Sequence, residues 1–227
     1  MLKKLSIFVF VALLAWVSTS AQDATELVLE NGVNDYEGTR DTSLYSENSN
    51  SNGAGFHIFA GQTNRGADRR ALLAFDLADV PEGATITAVS LSLTVSRTQP
   101  GETAISLHRA SVDWGEGDAD AGGQEGTGAT SPDGAATWTE NFLGESSWEN
   151  EGGDFTETAS AEGTAGGNAS VVVLEGEGLI ADVQAWVDGE DNFGWVVVGD
   201  GTAKRFHSSN SDVDEGLKPR LVITFTN

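Results

Sequence analysis

Short runs in which every second residue is apolar dominate this chain. Along residues 85–96 (TITAVSLSLTVS), Val89, Leu91, Leu93 and Val95 fall on one side and Ser90, Ser92, Thr94 and Ser96 on the other. That two-residue repeat is the mark of a half-buried antiparallel strand. Residues 69–77 place Leu73, Phe75 and Leu77 on one face, with Leu72 interrupting the alternation, and residues 220–226 turn Leu221, Ile223 and Phe225 inward. The same pattern predicts strands at residues 26–30, 56–61, 104–110, 154–161, 169–174, 193–199 and 202–208. Clusters of Gly, Asn, Asp, Ser and Pro lie between them, including Pro81-Glu82-Gly83 and Asp200-Gly201, and supply the turns. About ten short strands separated in this way predict an all-β fold, an antiparallel β-sandwich of jelly-roll type.

Two segments depart from the alternation. In residues 178–189 (GLIADVQAWVDG), Leu179, Val183, Trp186 and Val187 recur at helical spacing, so a short amphipathic helix is predicted to close one end of the sandwich, with Trp186 in the core. Residues 115–150 are rich in Gly, Glu, Asp and Thr and poor in aliphatic side chains, yet contain Trp138, Phe142 and Trp148, with Trp114 just before them. A disordered linker rarely carries so many tryptophans. This stretch is therefore expected to be an ordered excursion lying over one sheet and pinned by its aromatic rings.

The first residues are set apart from the fold. Lys3 and Lys4 precede an apolar run from Leu5 to Val17, and Thr19-Ser20-Ala21 offers small residues for cleavage. A secretory leader over residues 1–21 is expected, followed by one domain over residues 22–227. Beyond the leader the chain has 10 basic against 35 acidic side chains, a net −25. That charge argues against nucleic acid as a partner and against anionic membrane surfaces, since both need a basic face. No second long apolar stretch predicts membrane insertion. The absence of Cys excludes disulfides, thiolate metal sites and cysteine nucleophiles, so an exported chain must rely on packing or on bound ions.

Catalytic signatures are missing. The chain has no HExxH, no GxSxG, and no phosphate-binding or dinucleotide loop. His57, His108 and His207 sit in separate predicted strands, with no spacing that pairs them as ligands. A lyase acting next to a sugar carboxylate needs a Tyr or His base and basic or amide groups to neutralise the acid, and Tyr36 and Tyr45 are the only tyrosines. Cation binding fits better, because Asp118, Asp120, Asp200, Asp212, Asp214 and the turn from Asp35 to Asp41 place hard oxygen ligands in flexible loops, as calcium prefers. A structural calcium is thus the expected cofactor. Arg65, Arg69, Arg70, Lys204 and Arg205 sit in or beside strands that could neighbour one another and form a local anion-binding spot.

The segment RRALLAFDLADVPEGATITAVSLSL (69–93) resembles the strand-turn-strand hallmark of the DNRLRE-domain proteins, which are similar to carbohydrate-binding module family 96. The later DWGEG (113–117), ATW (136–138), WENEGGDF (148–155), NFGWVV (192–197), AKRFHSS (203–209) and PRLVITF (219–225) resemble secreted single-domain members in order and spacing, so the likeness spans residues 26–227. It implies a β-sandwich module, alone or attached to secreted carbohydrate-active enzymes, with a non-catalytic glycan-binding or surface role and alginate as one ligand type. His207-Ser208-Ser209-Asn210 stands where relatives carry an Arg-Glu pair.

The expected function is that of a secreted, extracellular, non-catalytic module that binds polysaccharide, either neutral or acidic with calcium. The excursion over residues 113–155 is the expected binding face. Trp114, Trp138 and Trp148 are the candidate stacking rings, and Glu116, Asp118 and Glu140 the candidate hydroxyl acceptors, because a pyranose presents an apolar face edged with hydroxyls. Competing readings are a structural or adhesion component of the matrix or cell surface, and a polysaccharide lyase or hydrolase on a jelly roll.

Overall fold

The computed structural model describes residues 23–227; the expected leader and its cleavage site lie outside them. The strands are β1 (Thr25–Leu29), β2 (Thr39–Tyr45), β3 (Asn50–Ser51), β4 (His57–Gln62), β5 (Asp68–Phe75), β6 (Thr85–Thr98), β7 (Thr103–Arg109), β8 (Ala129–Thr130), β9 (Glu140–Phe142), β10 (Ser146–Ser147), β11 (Ala161–Ala165), β12 (Val171–Glu175), β13 (Trp195–Asp200), β14 (Lys204–His207) and β15 (Arg220–Thr226), with one helix, α1 (Glu177–Val187). The fold is an all-β antiparallel sandwich whose sheet curls on itself. One layer runs β2-β5-β13-β7-β11; the other has β1-β15-β6, with β12 also on β6. The layers join at one side. There β14 pairs with the end of β6, β4 pairs with β14, and Gly61 and Gln62 of β4 enter register with the start of β5.

The core between the layers is built from the alternating faces read in the sequence. Leu73 and Phe75 of β5, Leu91, Leu93 and Val95 of β6, Ile105 and Leu107 of β7, Trp195 and Val197 of β13, Phe206 of β14, and Leu221 and Ile223 of β15 all lie in it. Each such side chain stabilises the fold by about 1.5 to 3 kcal/mol on burial. Helix α1 covers an open end with Leu179, Val183 and Trp186, and Trp186 meets Trp195 edge to face at 4.7 Å. The Trp195 indole N–H donates to Asp182 Oδ2 at 2.8 Å. Both rings are core residues.

Leu72 disturbs the alternation of β5 for a physical reason: that strand is buried on both faces. Its outer face carries a second cluster of Leu44, Leu72, Ala74, Trp114, Trp148 and Val196, covered by the excursion. Close packing there requires glycine at 115, because a Cβ at that position would come within 1.7 Å of the Gly134 carbonyl oxygen.

Two predicted elements differ from the structure. Residues 154–160 are irregular, with one bridge between Phe155 and Ala110, and the strand begins only at Ala161. The Asp154 carboxylate accepts the Glu149 and Asn150 backbone N–H groups at 2.7 and 2.8 Å, folding the chain back instead of extending it. Conversely, β2 is a full strand that the hydrophobic pattern does not reveal. Its Asp41, Thr42 and Ser43 are completely buried, and one oxygen of each side chain accepts a loop or strand N–H: from Ser209, Asn52 and Phe59. Hydrogen bonds offset the burial of its polar side chains.

Among the described residues no helix is long and apolar enough to cross a membrane.

Candidate functional site

The excursion is ordered, as expected, but its tryptophans do not act together as a sugar-stacking surface. Trp114 is completely buried and Trp148 is 6% exposed. The Trp114 indole donates to the Phe193 carbonyl at 2.8 Å, and the Arg40 guanidinium lies 4.4 Å over its ring. The Trp148 indole donates to the Thr137 carbonyl at 2.8 Å. Both rings plug the excursion onto the outer face of β5 and β13, which corrects their assignment as stacking residues. Trp138 is half-buried, with the Arg70 guanidinium 5.1 Å from its ring centre. The carboxylates do not converge either. Glu116 Oε1 accepts the Asp41 backbone N–H at 2.8 Å, Glu140 accepts Gly144 N–H within its own turn at 3.0 Å, and Asp118 is exposed.

A different constellation forms where the excursion crosses the join between layers. Register places Arg205 of β14 beside Arg97 of β6 and beside Phe59 of β4. These residues, with Arg69, Gln99 and Gln124, line an open groove of about 310 Å³. Gln124 Oε1 accepts a hydrogen bond from Arg97 Nη1 at 2.7 Å and from Arg205 Nη1 at 3.2 Å. Arg205 Nε also donates to Ser96 Oγ at 2.9 Å, the residue that the bulge in β6 leaves opposite no partner. Two guanidinium groups thus share one neutral amide oxygen.

Neither arginine has an acidic side chain in direct ion-pair contact. Ion pairs among the described residues involve Arg40, His57, Arg69, Arg109 and Arg220, and neither Arg97 nor Arg205. Burial holds Arg205 below the usual guanidinium range; Glu125 opposes that shift and the Arg97 charge adds to it. Arg69, by contrast, is held by Glu47 and by the Gly126 carbonyl and stacks 4.7 Å over the Tyr45 ring. It forms a fixed wall.

The excursion is locked at this point by Glu125. Its Oε2 accepts the His57 backbone N–H and the Asn52 amide, both at 2.9 Å, and its Oε1 lies 3.0 Å from His57 Nδ1. Burial pushes the Glu125 carboxyl up, but the bonds from His57 and Asn52 win and hold it below the usual carboxylate range. Glu125 has φ +60°, a left-handed conformation costing a non-glycine residue about 1 to 2 kcal/mol, and these bonds hold it there. That turn aims Gln124 at the arginines. Beyond it the His57 and His207 rings lie 5.6 Å apart. Burial, then the His57 and Arg205 charges, keep His207 below the ordinary histidine range.

Of the basic residues grouped from sequence, Arg69 and Arg205 reach the groove. Arg70 lies under Trp138 and Phe155 on the outer face, Lys204 is buried and donates to the Gly101 and Gly166 carbonyls at 2.6 and 3.0 Å, and Arg65 is exposed in the β4–β5 loop. Arg97 and Gln124 were not singled out. Arg97 ends a long alternating strand and could have been noticed as a cation at a strand tip; Gln124 carries no signal. Comparison with protein families and with curated proteins returns no match, so the functional reading rests on this geometry.

Proposed function

We propose that the protein is an extracellular, non-catalytic module that binds an acidic polysaccharide, seating a carboxylate or sulfate of the polymer between Arg97 and Arg205. One observation carries this reading: two adjacent guanidinium groups without acidic partners, in a chain whose acids far outnumber its bases. An anion taking the place of the Gln124 amide oxygen would gain charge-assisted hydrogen bonds worth about 1.5 to 3 kcal/mol each and offset the repulsion between Arg97 and Arg205. Phe59, Thr98 and Ala203 contribute apolar surface to the same groove, which suits the C–H face of a sugar ring. The net −25 repels the rest of a polyanion. Affinity should therefore rise between about 0.01 and 0.1 M salt, as the Debye length shrinks from about 30 to about 10 Å.

Affinity electrophoresis tests this in gels containing a polyuronate, a sulfated galactan or a neutral glucan, with and without calcium. Retardation by the acidic polymers, lost in Arg97→Ala/Arg205→Ala with the fold intact by circular dichroism, supports the reading. Retardation by the neutral polymer alone, or retardation that survives the double substitution, refutes the groove. No retardation by any polymer favours a structural or adhesive role, and shortening of the polymer would make the protein an enzyme.

A further inference from the structure

Asp41, in the middle of β2, is a completely buried carboxylate with only half of its oxygens accounted for. Its Oδ2 accepts the Ser209 backbone N–H at 2.7 Å, whereas Oδ1 is buried and has no hydrogen-bond partner. A second carboxylate stands beside it, since Glu116 accepts the Asp41 backbone N–H. Two residues back along the same face of β2, the Thr39 hydroxyl oxygen is also buried and unpartnered. Burying such oxygens without a donor is costly. A cation satisfies an oxygen without needing a donor.

From these contacts we infer that Asp41 and Glu116 hold one hard divalent cation, of the calcium class, at the edge of β2. Oxygen donors alone are available there, and water and the Thr39 hydroxyl can complete an irregular coordination shell of the kind calcium accepts. No group of three or more His, Cys, Asp or Glu side chains forms a metal cage among the described residues, so affinity is set by these two carboxylates. Arg40, whose charge also acts on Glu116, is paired with Asp113 at 2.7 Å. The raised proton affinity of Asp41, to about 7, follows from its burial, opposed by the backbone and hydroxyl of Ser209 and increased by Glu116; it makes protons compete with the metal. The ion would tie two distant segments together, β2 and the start of the excursion. In a chain without Cys that is a cross-link of a second kind.

The test is isothermal titration of chelator-stripped protein with calcium chloride at pH 8 in 0.2 M potassium chloride, with magnesium chloride as the comparison. One saturable calcium site is expected, weakened at least tenfold in Glu116→Gln, abolished in Asp41→Asn, and weakened on going from pH 8 to pH 6. Saturation at about a hundredfold over Kd should raise Tm by about 5 to 10 °C. Asp41→Asn is close in shape, and its fold is checked by circular dichroism; Glu116→Gln, at a half-buried position, gives an independent reading. No saturable site in the wild type, or a site unchanged in both variants, overturns the proposal. Glycan retardation through Arg97 and Arg205 is a separate measurement, so either reading can fail alone.

Discussion

Replacing Trp114 by Ala separates a plug from a binding surface by energy. The ring is wholly buried against Leu72, Ala74 and Val196, and Trp→Ala at such a site costs about 3 to 5 kcal/mol for lost transfer energy and the cavity left behind. The Phe193 carbonyl loses its donor, adding about 1 kcal/mol or more, and the Arg40 stacking contact is worth about 0.5 to 1 kcal/mol. Relaxation offsets part of the total, so a loss of about 5 kcal/mol is expected, a large share of the stability of an ordinary domain. With a urea m-value of about 2 to 3 kcal/mol/M, the midpoint should fall by about 2 M. Trp114→Phe, which keeps most of the apolar volume but not the N–H, should lose far less. It should also bind acidic polysaccharide within twofold of the wild type. The reasoning fails if Trp114→Ala moves the midpoint by less than about 0.4 M, and it fails again if the folded Phe variant stops binding glycan.

Acidification should loosen the Glu125 clamp before the rest of the fold. His207 is depressed below its ordinary value, so its contribution is lost as pH falls through 6.5 toward its folded value; Glu125 is likewise depressed, and its contribution vanishes as pH drops below 4.5. Hydrogen exchange at residues 124–126 should therefore accelerate below pH 6 ahead of exchange in β6 and β13, and uniform acceleration would contradict this. Asp41 acts with the opposite sign. Its pKa is raised to about 7, so in chelator the wild type should lose stability as pH rises from 4 to 7, by up to about 4 kcal/mol. Asp41→Asn should remove that slope in denaturant titrations and be more stable than the wild type at pH 8 without metal. An unchanged slope would mean that Asp41 is not the group responsible.

Alternation of apolar residues is a local property, and it made the sandwich and most of its strands legible in the linear chain. Helical spacing did the same for α1 and for the burial of Trp186. The tryptophans scattered through residues 115–150 correctly signalled an ordered excursion. What they could not signal was which way each ring faces, because a tryptophan that anchors a loop and one that greets a sugar leave the same mark in composition. Only the outer face of β5, apolar at Leu72 and Ala74, decided that Trp114 and Trp148 turn inward. Strand β2 stayed hidden because its buried polar side chains accept N–H groups from segments far along the chain. The arginine groove is of the same kind: Ser96 and Arg205 are 109 residues apart, and they meet through the bulge in β6 and the register of β14. The sequence by itself determined which residues seek the interior and with what period. Tertiary structure decided which polar groups meet, because strand order and register follow from the burial balance of the whole chain and not from any one segment.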